Sequence, residues 1–167
     1  MKLYEPFEFL TAEECDQIIA YAKTKEIKPG TTLRTGNIRN NRVVWYEDSS
    51  QWQKWITMFN TIDPVIDWIQ TPQIAFYKPS EEYKWHVDTW PKYRTHIRHF
   101  TLTCELQSAP GARLEIKDKT FDLQKGQAII FKPQDEHRAV TPQSGERVSF
   151  TIWAMAKNLN KVDKIKN

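Results

Sequence analysis

Hydrophobic positions follow two different rhythms along this chain. In the first part they recur at three- and four-residue spacing, the period of one helix face; from residue 72 onward they alternate with polar ones, the period of a strand. Thr11-Ala12-Glu13-Glu14 has the capping-box pattern, a threonine followed three residues later by a glutamate. Behind it Cys15, Ile18, Ile19 and Ala22 predict a helix over 11–25, which Lys28-Pro29-Gly30 stops. Residues 31–41, rich in Thr, Gly, Asn and Arg, read as a loop, and Arg42–Tyr46 as a strand. Trp52, Trp55, Ile56, Phe59 and Ile62 share a helical face, and the helical spacing resumes through Val65, Ile66 and Ile69.

The second part divides into short alternating segments at 73–77, 83–88, 97–106, 112–117, 127–131, 137–141 and 147–155. Pro79-Ser80, Ala109-Pro110-Gly111, Lys125-Gly126 and Gln143-Ser144-Gly145 punctuate them. Many short strands at this spacing predict a mainly β fold, a barrel or sandwich with the early helices packed outside. Lys157–Asn167 is polar and basic and reads as a terminal tail or helix.

Composition narrows the class. With 167 residues, 40% of them hydrophobic and 27% charged, the chain is sized for one folded domain and is not disordered. Its two cysteines, Cys15 and Cys104, lack metal-ligand spacing and read as reduced thiols of a cytoplasmic protein. Met1–Pro6 has no apolar run of signal-peptide length, and no segment is long and apolar enough to predict a membrane span. A net charge of +3, spread along the chain, argues against a nucleic-acid partner and suits a small dianion. Seven tryptophans supply aromatic surface for a core or a pocket rim.

The chemistry concentrates in the alternating part. On a strand over 83–88, His86 and Asp88 point to one side, so each can give one ligand to a single metal. The distant His137 completes two histidines and one carboxylate, the facial triad of non-heme iron(II) oxygenases, which leaves coordination positions open. Arg147 opens a strand whose one face carries Arg147, Ser149, Thr151 and Trp153. An inward arginine needs an anion, and its fork matches a carboxylate such as the distal one of 2-oxoglutarate. Tyr77 alternates with Gln73 and Ala75, which suits either a core tyrosine or a ligand contact. His96 and His99 would lie on opposite strand faces and read as surface or rim residues, not as a metal pair.

Taken in order, these segments resemble the 2-oxoglutarate/iron(II)-dependent dioxygenases of the prolyl 4-hydroxylase type, near the short stand-alone forms of bacteria and phages. The resemblance runs from Ile74 to Trp153. It rests on Tyr77, Tyr83–Asp88, Gly111–Ile116, Gly126, Phe131-Lys132-Pro133, His137–Pro142, Gly145-Glu146-Arg147 and Trp153. It implies a double-stranded β-helix (jelly roll): one dioxygenase domain over 1–167, with N-terminal helical support at 1–70 and a jelly-roll core at 72–156. It implies iron(II) on His86, Asp88 and His137, and 2-oxoglutarate on Arg147, helped by Tyr77 and Thr151. Two positions depart from the family pattern: Ala112 stands where a second glycine is usual, and Glu105 where some relatives have a tyrosine touching the co-substrate.

The implied reaction is hydroxylation of a C–H bond with O2, releasing succinate and CO2, with ascorbate keeping the iron reduced. The implied substrate is a prolyl residue in a peptide or protein, converted to 4-hydroxyproline. Trp90, Tyr93 and Arg94, with a Thr31–Asn41 loop able to close over an extended ligand, would form the groove. A free amino acid or other small molecule is the alternative substrate, which Glu47 and Asp48 keep open, and an inactive jelly-roll binding module is the alternative of another class. Nucleic-acid demethylation is disfavoured because Trp153 replaces a second arginine. Halogenation is disfavoured because Asp88 fills the halide position.

Overall fold

The computed structural model describes residues 1–32, 37–89 and 95–159. In chain order its elements are β1 (Phe7–Glu8), α1 (Ala12–Lys23), β2 (Lys28–Pro29), β3 (Arg42–Trp45), α2 (Trp52–Asn60), β4 (Ile66–Tyr77), β5 (Tyr83–His86) and β6 (His96–Gln107). β7 (Arg113–Ile116), β8 (Lys119–Phe121), β9 (Gln127–Phe131), β10 (His137–Val140) and β11 (Arg147–Lys157) complete them. Two antiparallel sheets result, one in the order β1-β9-β6-β11-β4-β3-β2 and the other β5-β10-β7-β8. This is the mainly β architecture that the alternating segments predict and the jelly roll that the resemblance implies.

The three long central strands are buried on both faces, and alternation sorts their side chains. On β6, Phe100, Leu102, Cys104 and Leu106 join Val148, Phe150, Ile152 and Ala154 of β11 and the inner faces of both helices in the main core. The intervening residues Thr101, Thr103 and Glu105 belong with Ser149, Thr151 and Trp153, which face them across the ladder. The large sheet is therefore apolar towards the helices and polar towards the small sheet. That second side holds the candidate chemistry.

α1 starts as predicted: the Thr11 hydroxyl accepts from the Glu14 N–H, and the Glu14 carboxylate accepts from the Thr11 N–H. It ends at Lys23, before the expected stop, and Lys28–Pro29 pair instead with β3. Cys15 and Cys104 are both buried, free thiols. They touch across the contact between α1 and β6, and the Cys104 thiol pulls the Cys15 thiol below its usual range.

The helical pattern does not resume after α2. Residues 66–69 begin β4, and the N-terminal 70 residues contribute strands as well as helices. The ladder between β4 and β11 slips at Met155/Ala156 and again at Thr151/Trp153. These irregularities reset the strand's parity, so Ile66 and Ile69 both reach the core three residues apart and imitate a helix face. β1, β2 and β8 are two or three residues long, too short to show alternation in the sequence.

Candidate active site

His86 ends β5, and its Cα pairs with that of His137, the first residue of β10. The strand predicted through 88 stops at His86; Asp88 lies beyond it, fixed by its backbone N–H donating to the Pro133 carbonyl at 2.7 Å. One carboxylate oxygen of Asp88 stands 3.5 Å from His86 Nε2, and the other stands 3.5 Å from His137 Nε2. All three side chains are buried, and one ligand atom from each lies within 4.8 Å of the others. Two donors on one ion at a right angle would be about 3 Å apart, so a small contraction would seat a metal.

The histidine tautomers are set from behind. His86 Nδ1 faces the Lys84 carbonyl at 2.7 Å and His137 Nδ1 faces the Asp135 carbonyl at 2.9 Å. A carbonyl only accepts, so each Nδ1 carries the proton and each Nε2 presents its lone pair inward. Asp88 is oriented likewise: its Oδ2 accepts from Trp153 Nε1 at 2.8 Å and from the Thr101 hydroxyl at 3.0 Å. Burial alone would raise the Asp88 carboxyl, but the two imidazoles beside it outweigh burial and hold it well below the usual carboxylate range. Burial lowers His86, whereas Asp88 outweighs burial at His137 and raises it. Tyr83 stacks on the His86 ring with centroids 3.4 Å apart, which fixes the ring plane. A buried N,N,O donor set with fixed tautomers suits a divalent iron and leaves one side of the ion open.

The cavity runs from the triad between the two sheets. At its inner end lie Tyr77, Ser149, Thr151 and Arg147. Arg147 does not wait there for an anion. Its Nε donates to both Glu105 oxygens, at 3.1 and 3.0 Å, and its Nη2 donates to Oε2 at 2.8 Å. Arg147 is 1% exposed and Glu105 4%, so the pair is sealed from solvent. Burial pushes the Glu105 carboxyl up, opposed by Arg147; burial also works against the Arg147 charge, and Glu105 more than offsets it. The Tyr77 ring lies 5.4 Å from the guanidinium carbon, and burial raises its hydroxyl.

The outer end is walled by Trp45, Tyr83, Trp153, Arg39 and Arg98. Arg98 donates to the Asp88 carbonyl at 2.9 Å and to Gln70 at 3.0 Å, and it lies 3.9 Å from the Trp153 ring. Burial lowers Arg98 to about 10. Arg39 donates to Asn41, Gln73 and the Thr31 carbonyl.

The structure thus gathers His86, Asp88, His137, Arg147, Tyr77 and Thr151 around one cavity. His96 and His99 stay at the rim, beside Asp67 at 3.6 Å and Asp63 at 2.9 Å. Trp90, Tyr93, Arg94, part of the 31–41 loop and most of the 157–167 tail lie outside the described residues. Sequence reasoning did not find Thr101, Arg98 and Arg39. Thr101 was accessible in principle, because it shares strand parity with Thr103 and Glu105; Arg39 sits in a segment with no periodicity. A second, apolar groove beside Phe7, Phe9, Ile18 and Trp55 lies on the helix side of the large sheet, without any triad residue.

Residues 72–155 match the 2OG-Fe(II) oxygenase superfamily. No curated protein matches the sequence. Among solved structures, a viral collagen prolyl hydroxylase from Paramecium bursaria Chlorella virus-1, in complex with 2OG, aligns with a TM-score of 0.75. The two share 24% identity over 93% of this chain and 97% of that one. A Pseudomonas putida prolyl-4-hydroxylase aligns with a TM-score of 0.69 at 17% identity, covering 90% and 91%. A Trichoplax adhaerens prolyl hydroxylase, solved with a hypoxia inducible factor peptide fragment, aligns at 0.65 and 16% identity, covering 98% and 86%. At these identities the likeness is one of fold. The family match over half the chain, on a jelly roll carrying a His-x-Asp…His cluster, sets the conclusion: this chain belongs to the 2OG-Fe(II) oxygenase superfamily and has a prolyl hydroxylase-like fold.

Proposed function

We propose that this enzyme hydroxylates a prolyl residue in a peptide to 4-hydroxyproline, consuming 2-oxoglutarate and O2 and releasing succinate and CO2. The observation that carries the reading is a pair of adjoining cavities that share His86 and Asp88, one reaching Arg147 and Tyr77 inside and the other an aromatic mouth outside. Iron(II) would be held by His86 Nε2, the Asp88 carboxylate and His137 Nε2. Bound there, it supplies the activation of O2 coupled to decarboxylation of the 2-oxo acid.

The chain's own residues supply the rest. Arg147, Tyr77 and Thr151 give donors for a carboxylate at the inner end, with Ser149 beside them. Thr101 and Trp153 hold Asp88 in one rotamer. Trp45, Trp153 and Tyr83 exclude water at the mouth and offer flat apolar walls to a five-membered ring. Arg98, stacked on Trp153, lies at the same mouth. Ascorbate as reductant and a reducing, cytoplasmic setting accord with this chemistry and with two free thiols. Among the described residues no helix is long and apolar enough to cross a membrane.

Offering free L-proline and a short proline-rich peptide together, with iron(II), 2-oxoglutarate and ascorbate, tests the substrate. Mass spectrometry should find the added oxygen on the peptide; preferential hydroxylation of free proline would reject the peptide reading.

A further inference from the structure

Three charged side chains other than the histidines line the inner part of the cavity, Asp88, Arg147 and Arg39, while Arg98 stands at the mouth, hydrogen-bonded to the Asp88 carbonyl and Gln70. Asp88 belongs to the metal cluster. Arg147 is already paired through Nε and Nη2 with both oxygens of Glu105. An ion pair at 2.8 to 3.1 Å, sealed from water, acts on its surroundings as a dipole, because the field of one partner largely cancels that of the other. The pair leaves Nη1 and one Nη2 proton of Arg147 for a ligand, but little net charge.

Arg39 is held differently. Its Nε donates to Asn41 Oδ1 at 2.6 Å, its Nη1 to the Thr31 carbonyl at 3.1 Å and its Nη2 to Gln73 Oε1 at 2.5 Å. Its guanidinium carbon lies 4.5 Å from the Tyr83 ring. All of these partners are neutral, and among the described residues no carboxylate stands within ion-pair distance of it. Gln73 pairs across the ladder with Thr151, so Arg39 is tethered over the strand row that also carries Tyr77. Both guanidiniums favour the ionised form of the Tyr77 hydroxyl, and Arg39 does so more than Arg147. Glu105 acts on the same hydroxyl in the opposite sense to Arg147, whereas no carboxylate is paired with Arg39 among the described residues.

We propose that Arg39, rather than Arg147, supplies the unbalanced positive charge that a dianionic 2-oxo acid meets in this cavity, with Arg147 reduced by Glu105 to a positioned hydrogen-bond donor. The proposal rests on the reading of this cavity as the co-substrate site. It makes Arg39 a further binding residue and Glu105 the residue that sets how much of the anchoring it must carry. Neither role follows from the triad.

Calorimetric titration of 2-oxoglutarate into the manganese(II)-loaded protein without oxygen separates binding from turnover. Arg39→Gln should weaken binding by about ten- to a hundredfold, the range for losing a charged contact, whereas Arg39→Lys should keep most of the affinity. Glu105→Gln preserves shape and one acceptor while releasing the charge of Arg147, so it should tighten binding. In that background Arg39→Gln should cost distinctly less than it does alone. Thermal melting of each variant checks that it is folded, and if Glu105→Gln is not, the contrast between Arg39→Gln and Arg39→Lys decides. Unchanged affinity in Arg39→Gln, equal losses in the Gln and Lys variants, or an undiminished loss in the Glu105→Gln background would overturn the assignment. Loaded wild-type protein that binds no 2-oxoglutarate would instead overturn the reading of the cavity itself, and this proposal with it.

Discussion

At the metal end of the cavity, three buried side chains converge, with an Asp88 oxygen 3.5 Å from each histidine Nε2 and with both Nδ1 atoms and Asp88 Oδ2 hydrogen-bonded. At the inner end, on β11 and β6 of the other sheet, Arg147 has its anion built into the fold. The two regions use the same materials, buried charge between two sheets, towards opposite ends. In the first, the supporting bonds aim at a point that the protein itself leaves for a cation. In the second, the charges satisfy each other, and the ligand must be recognised by whatever donors and charge remain. Burial alone therefore does not mark a binding residue; what marks it is how its charge is balanced.

The comparison can be broken from either side. The largest effect should come from His86→Ala, Asp88→Ala or His137→Ala, each of which removes one of three ligands and should abolish 2-oxoglutarate turnover. Circular dichroism and a chromatographic succinate assay, run on the same samples, should show a folded protein with no product.

Arg147→Ala should act on the fold as well as on the ligand, because it strands the Glu105 carboxylate in the core. Breaking a buried pair in this way costs about 3–5 kcal/mol, and denaturant melts of the ligand-free protein should show it. A fully stable Arg147→Ala variant with only weakened co-substrate binding would mean that Arg147 waits for a ligand as the triad does.

Removing the support of Asp88 should give an intermediate effect. Thr101→Val and Trp153→Phe each delete one hydrogen bond to Oδ2 and should weaken metal binding by about 10- to 100-fold with little loss of fold. Competition with a coloured chelator measures it directly.

The smallest effect belongs to Arg42, which bridges Glu81 at 2.9 Å and Glu146 at 2.7 Å outside the cavity. Burial opposes ionisation of Glu81, but Arg42 outweighs it and depresses its pKa. The stability this bridge contributes is therefore present above the ordinary glutamate pKa and lost as pH falls through the lower, folded value. Arg42→Ala should cost at most about 1 kcal/mol at neutral pH, shrinking in acid.

How far these regions were legible in the sequence follows from the same physics. His86 and His137 can be read because they sit on strands, and Asp88, which lies beyond β5, because a fixed ligand chemistry constrains residue type and order. The inward row of Arg147, Ser149, Thr151 and Trp153 can be read for the same reason. Glu105 was placed by resemblance at a co-substrate position, but its ion pair with Arg147 was not read, because the two become neighbours only through the β6–β11 register, which slips beside them at Val148/Ser149. Slips of this kind also turned Ile66 and Ile69 into an apparent helix face. Arg39 was invisible because it lies in a segment without periodicity and is positioned by single hydrogen bonds to Asn41 and Gln73.

The central claim is that the His86/Asp88/His137 cluster is an iron site that couples 2-oxoglutarate to hydroxylation. The most direct test is succinate release by the wild-type protein and by Asp88→Ala, with and without iron(II). The wild type should form succinate only when iron(II), 2-oxoglutarate and O2 are all present, and Asp88→Ala should form none under any condition. Iron-independent succinate release, or wild-type rates from Asp88→Ala, would contradict it.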